Sequence, residues 1–191
     1  MSKLDIWVLV IDGVKVGNTT QIVALGVDPA LAGRFLGFRE GSTENGRVCL
    51  DLLHDLVKRN LKIDHSMIVV IDGSRALRSA VDEFFGDRAH VHRCHKHKRE
   101  NVKKYLPDHY HAEYDRKIQA AWAMTDYDDA KCALRAVVRE LQRINLPAAE
   151  SLEDGFEETL TLHRLSIPPV LRVSFRTTNL IESSFSRVPQ C

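Results

Sequence analysis

The sequence predicts a mixed α/β protein built on a sheet of about five strands, with an all-helical block set into the chain. Three observations carry that expectation. Short apolar runs separated by turn residues fill the first half of the chain. Two of those runs end in Asp-Gly, at Asp12-Gly13 and at Asp72-Gly73. From Asn101 to about Thr161 the apolar spacing becomes helical throughout.

The first strand is Ile6-Trp7-Val8-Leu9-Val10-Ile11, closed by Asp12. Thr20 to Val27 is the second apolar run and Arg34 to Phe38 the third, with Gly17-Asn18 and Asp28-Pro29 as turn residues between them. Links this short join antiparallel neighbours, because a parallel crossover needs a dozen residues or more. Ser42 or Thr43 is placed to cap a helix in which Val48, Leu52, Leu53, Leu56 and Val57 recur at helical spacing. The run Met67-Ile68-Val69-Val70-Ile71 is a strand closed by Asp72. Ser74 then caps a helix with the stripe Leu77, Ala80, Val81 and Phe84, stopped by Gly86. Ala89 to Cys94 supplies a final strand.

This order of elements is ribonuclease-H-like. In that architecture the first strand is central and the strand after the first helix runs beside it, so Asp12 and Asp72 are expected side by side. Beyond Asn101, one helical segment carries Ile118, Ala121, Trp122 and Met124, and the next carries Ala130, Ala133, Leu134, Val137, Val138 and Leu141. Leu152, Phe156 and Leu160 mark a third, with Asp126 to Asp129 and Pro147 as punctuation. Ser166 to Ser174, containing Pro168-Pro169, reads as a return linker.

A chain of 191 residues accommodates one domain with a large insertion. A hydrophobic fraction of 44% and a charged fraction of 28% argue against disorder and against a membrane protein. No apolar run is long enough to span a bilayer, and no signal-peptide pattern opens the chain, so a cytoplasmic protein is expected. Cys49, Cys94, Cys132 and Cys191 show no paired spacing, which fits a reducing compartment. The net charge of +1 leaves any nucleic-acid affinity to local patches. The clearest is Arg93 to Lys104, where six basic residues accompany two histidines at the positions after the last strand; runs of this kind are more often solvated helix faces. The phosphate-loop, dinucleotide and serine-nucleophile signatures are all missing.

The chemistry concentrates on three carboxylates. A carboxylate at the end of a buried strand is held rigidly at the sheet edge, where a ligand can reach it. Asp12 and Asp72 on neighbouring strands, joined by Glu182 from a packed helix, make an oxygen-rich cage for divalent metal of the kind two-metal phosphodiester chemistry uses. Each has a plainer reading. Asp-Gly is a common turn dipeptide. Asn179 with Glu182 is a capping-box spacing, and a carboxylate turned back to the cap does not reach metal. Cys94-x-x-His97 is half of a zinc pattern without a suitably spaced second pair. It reads as a buried thiol with a packing, hydrogen-bonding or phosphate-contacting histidine. Trp122 is either core or a base-stacking surface.

Leu9 to Val16, Ala24 to Asp28 and Leu36 to Asn45 resemble the catalytic core of Mutator-type bacterial insertion-sequence transposases. So do Val70 to Leu77, Arg93 to Val102 and Arg176 to Ser183. The resemblance covers nearly the whole chain. It implies a DDE-type enzyme in which Asp12, Asp72 and Glu182 are the catalytic, metal-binding triad for Mg²⁺ or Mn²⁺ in a two-metal site. It also implies supporting or DNA-contacting roles for Arg93, Cys94, His97, Lys98, Arg99 and Asn101. The implied partners are double-stranded DNA, as transposon ends and target, and further copies of the chain; nucleoid association follows. The implied reaction is strand cleavage by activated water, then attack of the freed 3′-hydroxyl on target DNA. On this reading residues 1–100 are the ribonuclease-H-like catalytic core and 101–165 a helical insertion. Residues 166–191 are the return linker and a truncated final catalytic helix. The alternative is an inactive transposase remnant, at most a DNA-binding or oligomerising fragment.

Overall fold

The computed structural model describes residues 4–178. Its sheet has five strands, β1 (Val8–Val16), β2 (Thr19–Val27), β3 (Gly33–Glu40), β4 (Met67–Ile71) and β5 (Ala89–Arg93), in the order β3-β2-β1-β4-β5. The first three form an antiparallel meander, and β4 joins β1 in parallel. This is the expected mixed, ribonuclease-H-like α/β arrangement, with β1 at its centre.

β1 does not stop at Asp12. Pairing with β2 continues through Asp12↔Val23 to Val16↔Thr19. The two-residue link Gly17-Asn18 closes the hairpin, with Gly17 at φ +58°. Burial continues one residue past the apolar run, through Asp12, and the backbone ladder goes on beyond it because it needs no apolar side chain. Asp12 therefore sits inside the strand.

Helices α1 (Gly46–Lys58) and α2 (Arg75–Phe85) cover one face of the sheet. Leu52, Leu53 and Leu56 of α1 join Leu77, Val81 and Phe85 of α2 over Leu9, Ile11, Val69 and Ile71. Strand alternation assigns Val8, Val10 and Asp12, with Ile68 and Val70, to the opposite face. Both faces are buried along the central strands, which explains why β4 reads as an unbroken apolar run. Ser74 caps α2 as expected, accepting from the Leu77 N–H. The α1 cap is Asn45, which accepts from the Val48 N–H, and neither Ser42 nor Thr43. Phe85, and not Phe84, is the buried aromatic at the end of α2.

Residues 92–176 form a second compact unit of helices. These are α3 (His95–Lys103), α4 (Asp108–Ala123), α5 (Tyr127–Ile144), α6 (Leu146–Glu153), α7 (Phe156–Thr159), α8 (Thr161–Arg164) and α9 (Pro169–Phe175). The core of this unit is built from Ile118, Trp122, Leu134, Val138, Leu141, Leu152 and their neighbours. Asp126 caps α5, accepting from the N–H groups of Asp128 and Asp129. The expected third helix is broken into pieces because Gly155 takes the left-handed conformation at φ +67°. Pro168-Pro169 starts α9 instead of a linker, since Pro169 occupies the first turn, where no N–H is needed. Met124 ends α4 as an exposed cap residue. Among the described residues no helix is long and apolar enough to cross a membrane.

Candidate active site

The parallel pairing of β1 with β4 runs Val8↔Ile68, Leu9↔Val69 and Val10↔Val70. The pairing ends there; carried on by two residues, the same register would bring Asp12 level with Asp72, which lies one residue beyond the end of β4. Asp12 is buried, and its Oδ1 accepts from the Gly13 N–H at 2.9 Å. Asp72 follows the last residue of β4 and is partly exposed.

Two hydrogen bonds orient the Asp72 carboxylate. Its Oδ1 accepts from the Ser74 N–H at 2.8 Å, and its Oδ2 accepts from the Thr43 hydroxyl at 2.8 Å. The Thr43 carbonyl in turn accepts from the Ser74 hydroxyl at 2.5 Å and from the Cys49 thiol at 3.5 Å. Burial, reinforced by the Asp72 charge, pushes the Cys49 thiol up to about 11, so it stays protonated and able to donate. The loop before α1, the start of α2 and the end of β4 are thus tied to one another through Thr43.

Two carboxylates are hard oxygen donors, suited to Mg²⁺ or Mn²⁺ and unsuited to a soft-ligand metal. Among the described residues no group of three or more His, Cys, Asp or Glu side chains is placed to hold an ion. Glu182, the expected third ligand, lies outside the described residues, as does its capping-box alternative with Asn179.

The remaining candidates fall in the helical unit. Cys94 is fully buried at the N-cap of α3, and His97 is partly buried one turn later. Arg93 is buried, with its guanidinium on Glu158 at 2.8 Å and Asp154 at 3.4 Å. The Lys98 ammonium donates to the Ser151 carbonyl at 2.7 Å and also to the Asp154 carbonyl. Burial lowers its pKa to about 8, against the pull of Asp154. Arg99 donates to both oxygens of Asp115, at 2.7 and 2.8 Å. Asn101 accepts from Lys104 at 3.1 Å. The basic run therefore binds the helices of this unit to one another, with Arg93, His95 and Lys98 turned inside. Trp122 is buried too: His95 stacks on its ring, and its indole N–H donates to Thr159 Oγ1 at 3.2 Å.

The model of the family "Transposase, Mutator family" matches residues 4–189, almost the entire sequence. The chain belongs to the Mutator family of transposases. No curated protein gives a match to it. In this transposase the sequence singles out Asp12 and Asp72 as candidates but not the residue that hydrogen-bonds Asp72. Thr43 reads from sequence as a possible helix cap, and nothing local announces that its hydroxyl reaches an aspartate 29 positions away. Ser74, expected only as a cap, likewise has a second bond, to the Thr43 carbonyl.

Proposed function

We propose that the chain is the catalytic core of a DDE-type, metal-dependent transposase that cleaves a DNA strand and transfers the freed end to a target. The observation that supports this reading is the parallel pairing of β1 with β4 from Val8↔Ile68 to Val10↔Val70, a register that, carried on by two residues, would bring Asp12 level with Asp72. Membership of a transposase family supplies DNA as the substrate class.

In this reading Asp12, Asp72 and Glu182 hold Mg²⁺ or Mn²⁺. When bound, the metal supplies Lewis-acid stabilisation of phosphate charge and lowers the pKa of the attacking hydroxyl. The chain's own part is positional. β1 and β4 fix two carboxylates on a stiff sheet, and the buried Asp12 keeps its oxygens out of competition with bulk water. Residues 1–100 are the catalytic core and 101–165 the helical insertion. Residues 166–191 return the chain to Glu182. Arg93, Cys94, His97, Lys98, Arg99 and Asn101 support the fold of the insertion's entry, leaving exposed basic groups such as Lys104 to meet phosphate. Double-stranded DNA is the partner, and assembly of several copies would bring two transposon ends together.

The test is a cleavage and strand-transfer assay on short duplexes carrying the element's ends, with Mg²⁺ or Mn²⁺. Product should form with the wild-type chain and disappear in Asp12→Ala and Asp72→Ala. Undiminished product from either variant overturns the assignment.

A further inference from the structure

We propose that Thr43 is a positioning residue for the metal-ligating carboxylate of Asp72, an inference that rests on the reading of Asp72 as a ligand given above. The Asp72 side chain leaves the end of β4, where its own turn supplies one donor and a separate loop the other. The bond from the Ser74 N–H comes from two residues on and moves with that turn. The Thr43 hydroxyl comes from the loop before α1 and restrains Oδ2 independently. Two donors from separate elements, one on each oxygen, fix the plane of the carboxylate; one donor leaves it free to rotate about its terminal torsion.

Thr43 is itself held on every side. It is buried, and its carbonyl takes hydrogen bonds from Ser74 and Cys49. A Cβ placed on Gly13 would lie 3.6 Å from Thr43 Cγ2, so the threonine methyl packs beside the residue that follows Asp12. One side chain thus faces the surroundings of both aspartates, its hydroxyl on one and its methyl beside the other. The hydroxyl donor occupies one lone pair of Oδ2 and leaves the other for a cation. Partners of this kind, bonded to a ligand and not to the metal, change metal affinity by about 10–100-fold when removed.

Mn²⁺ binding, measured by calorimetry on the full chain, tests this without requiring turnover. Thr43→Val removes the hydroxyl at constant shape, Thr43→Ala removes it without the Val methyls, and Thr43→Ser restores it. Wild type should bind and Asp72→Ala should not. Thr43→Val should bind at least about tenfold more weakly, and Thr43→Ser should stay near wild type. Wild-type affinity in a folded Thr43→Val or Thr43→Ala overturns the proposal while leaving Asp72 as a ligand. Equal binding by wild type and Asp72→Ala overturns the ligand reading itself, and this proposal falls with it. Circular dichroism and metal-free thermal unfolding accompany each variant. If neither Thr43→Val nor Thr43→Ala folds, Thr43 is a structural residue and the positioning role is refuted.

Discussion

The imidazole of His95 lies flat on the indole of Trp122, with ring centroids 3.7 Å apart and planes 12° from parallel. His95 Nε2 lies 2.8 Å from the Thr159 carbonyl, and the Trp122 N–H bonds to the hydroxyl of the same threonine. Thr159 therefore anchors both rings, and both faces of this contact are closed to solvent. Trp122→Ala should cost about 3–5 kcal/mol, the usual range for emptying a buried aromatic site. Trp122→Phe should cost less, through a smaller ring and the lost indole bond to Thr159, whose hydroxyl still donates to the Phe156 carbonyl. Urea unfolding of the helical unit, followed by circular dichroism, measures both.

Acid should weaken the same unit. Burial pushes His92 down to about 3 and His95 well below its ordinary value, and it lowers His163 as well. For His92 burial outweighs the opposing influence of the Glu158 and Arg176 backbone. The unfolded chain takes up protons near pH 6.5 that the folded unit refuses. Stability is therefore full above about pH 6.5 and falls as the pH drops below it, by about 1.4 kcal/mol per pH unit for each excluded proton. For His92 the loss continues to about pH 3. Denaturation midpoints between pH 7.5 and 5 should show it, with Trp122 as the fluorescent reporter in a Trp7→Phe background. His92→Phe should flatten the slope by about one proton, and an unchanged slope would exclude His92 as a source.

The first half of the fold was legible because its signals are local. Met67 to Ile71 is apolar throughout because both faces are covered, and Ser74 caps because its side chain has one nearby N–H to accept from. What stayed hidden depends on contacts between distant residues. Arg93 and Lys98 look solvated in a charge run, yet their partners are Glu158, Asp154 and the carbonyl of Ser151. Pro168-Pro169 looks like a linker because only position within the first turn distinguishes a helix start from a break. Thr43 looks like a cap until Asp72 is brought to it.

Those inward-facing cations give a prediction of their own. Arg93→Ala should destabilise the helical unit by about 3–5 kcal/mol, since it leaves Glu158 without the guanidinium that compensates its charge. Lys98→Met should cost about 1–3 kcal/mol by leaving buried carbonyls unpaired. Neither change should alter the slope of log affinity for duplex DNA against log salt, whereas loss of a phosphate contact lowers that slope by about 0.9. A lower slope with unchanged urea midpoint would assign these side chains to DNA and not to the fold.

Gly155 should tolerate no side chain. It sits at φ +67°, and a Cβ there would lie 2.8 Å from Nη2 of Arg93 and 2.9 Å from its Cζ. A left-handed backbone disfavours alanine by about 1 kcal/mol. The guanidinium cannot move aside freely, because it is tied to Glu158 and Asp154. Gly155→Ala should therefore cost about 2 kcal/mol or more, strain and displacement together. Made on an Arg93→Ala background, the same substitution should cost only the backbone share. A thermal-denaturation double-mutant cycle reads this coupling, and strictly additive costs would rule out the Arg93 contact as its source.

Ser74 joins helix capping to the site. Its Oγ accepts from the Leu77 N–H at 3.2 Å and donates to the Thr43 carbonyl at 2.5 Å, so one hydroxyl closes the first turn of α2 and holds the loop that carries Thr43. Ser74→Ala deletes both bonds and should lower stability by about 1–2 kcal/mol. It leaves the Ser74 N–H, and with it the bond to Asp72 Oδ1, in place. If the loop matters to the carboxylate, metal affinity should fall as well, but by less than in Thr43→Val, because the Cys49 thiol still holds the Thr43 carbonyl. Thermal unfolding with and without Mn²⁺ separates the two effects: the metal-free midpoint reports the cap, and the shift on adding metal reports the site. A lowered midpoint with an undiminished metal shift would confine Ser74 to capping.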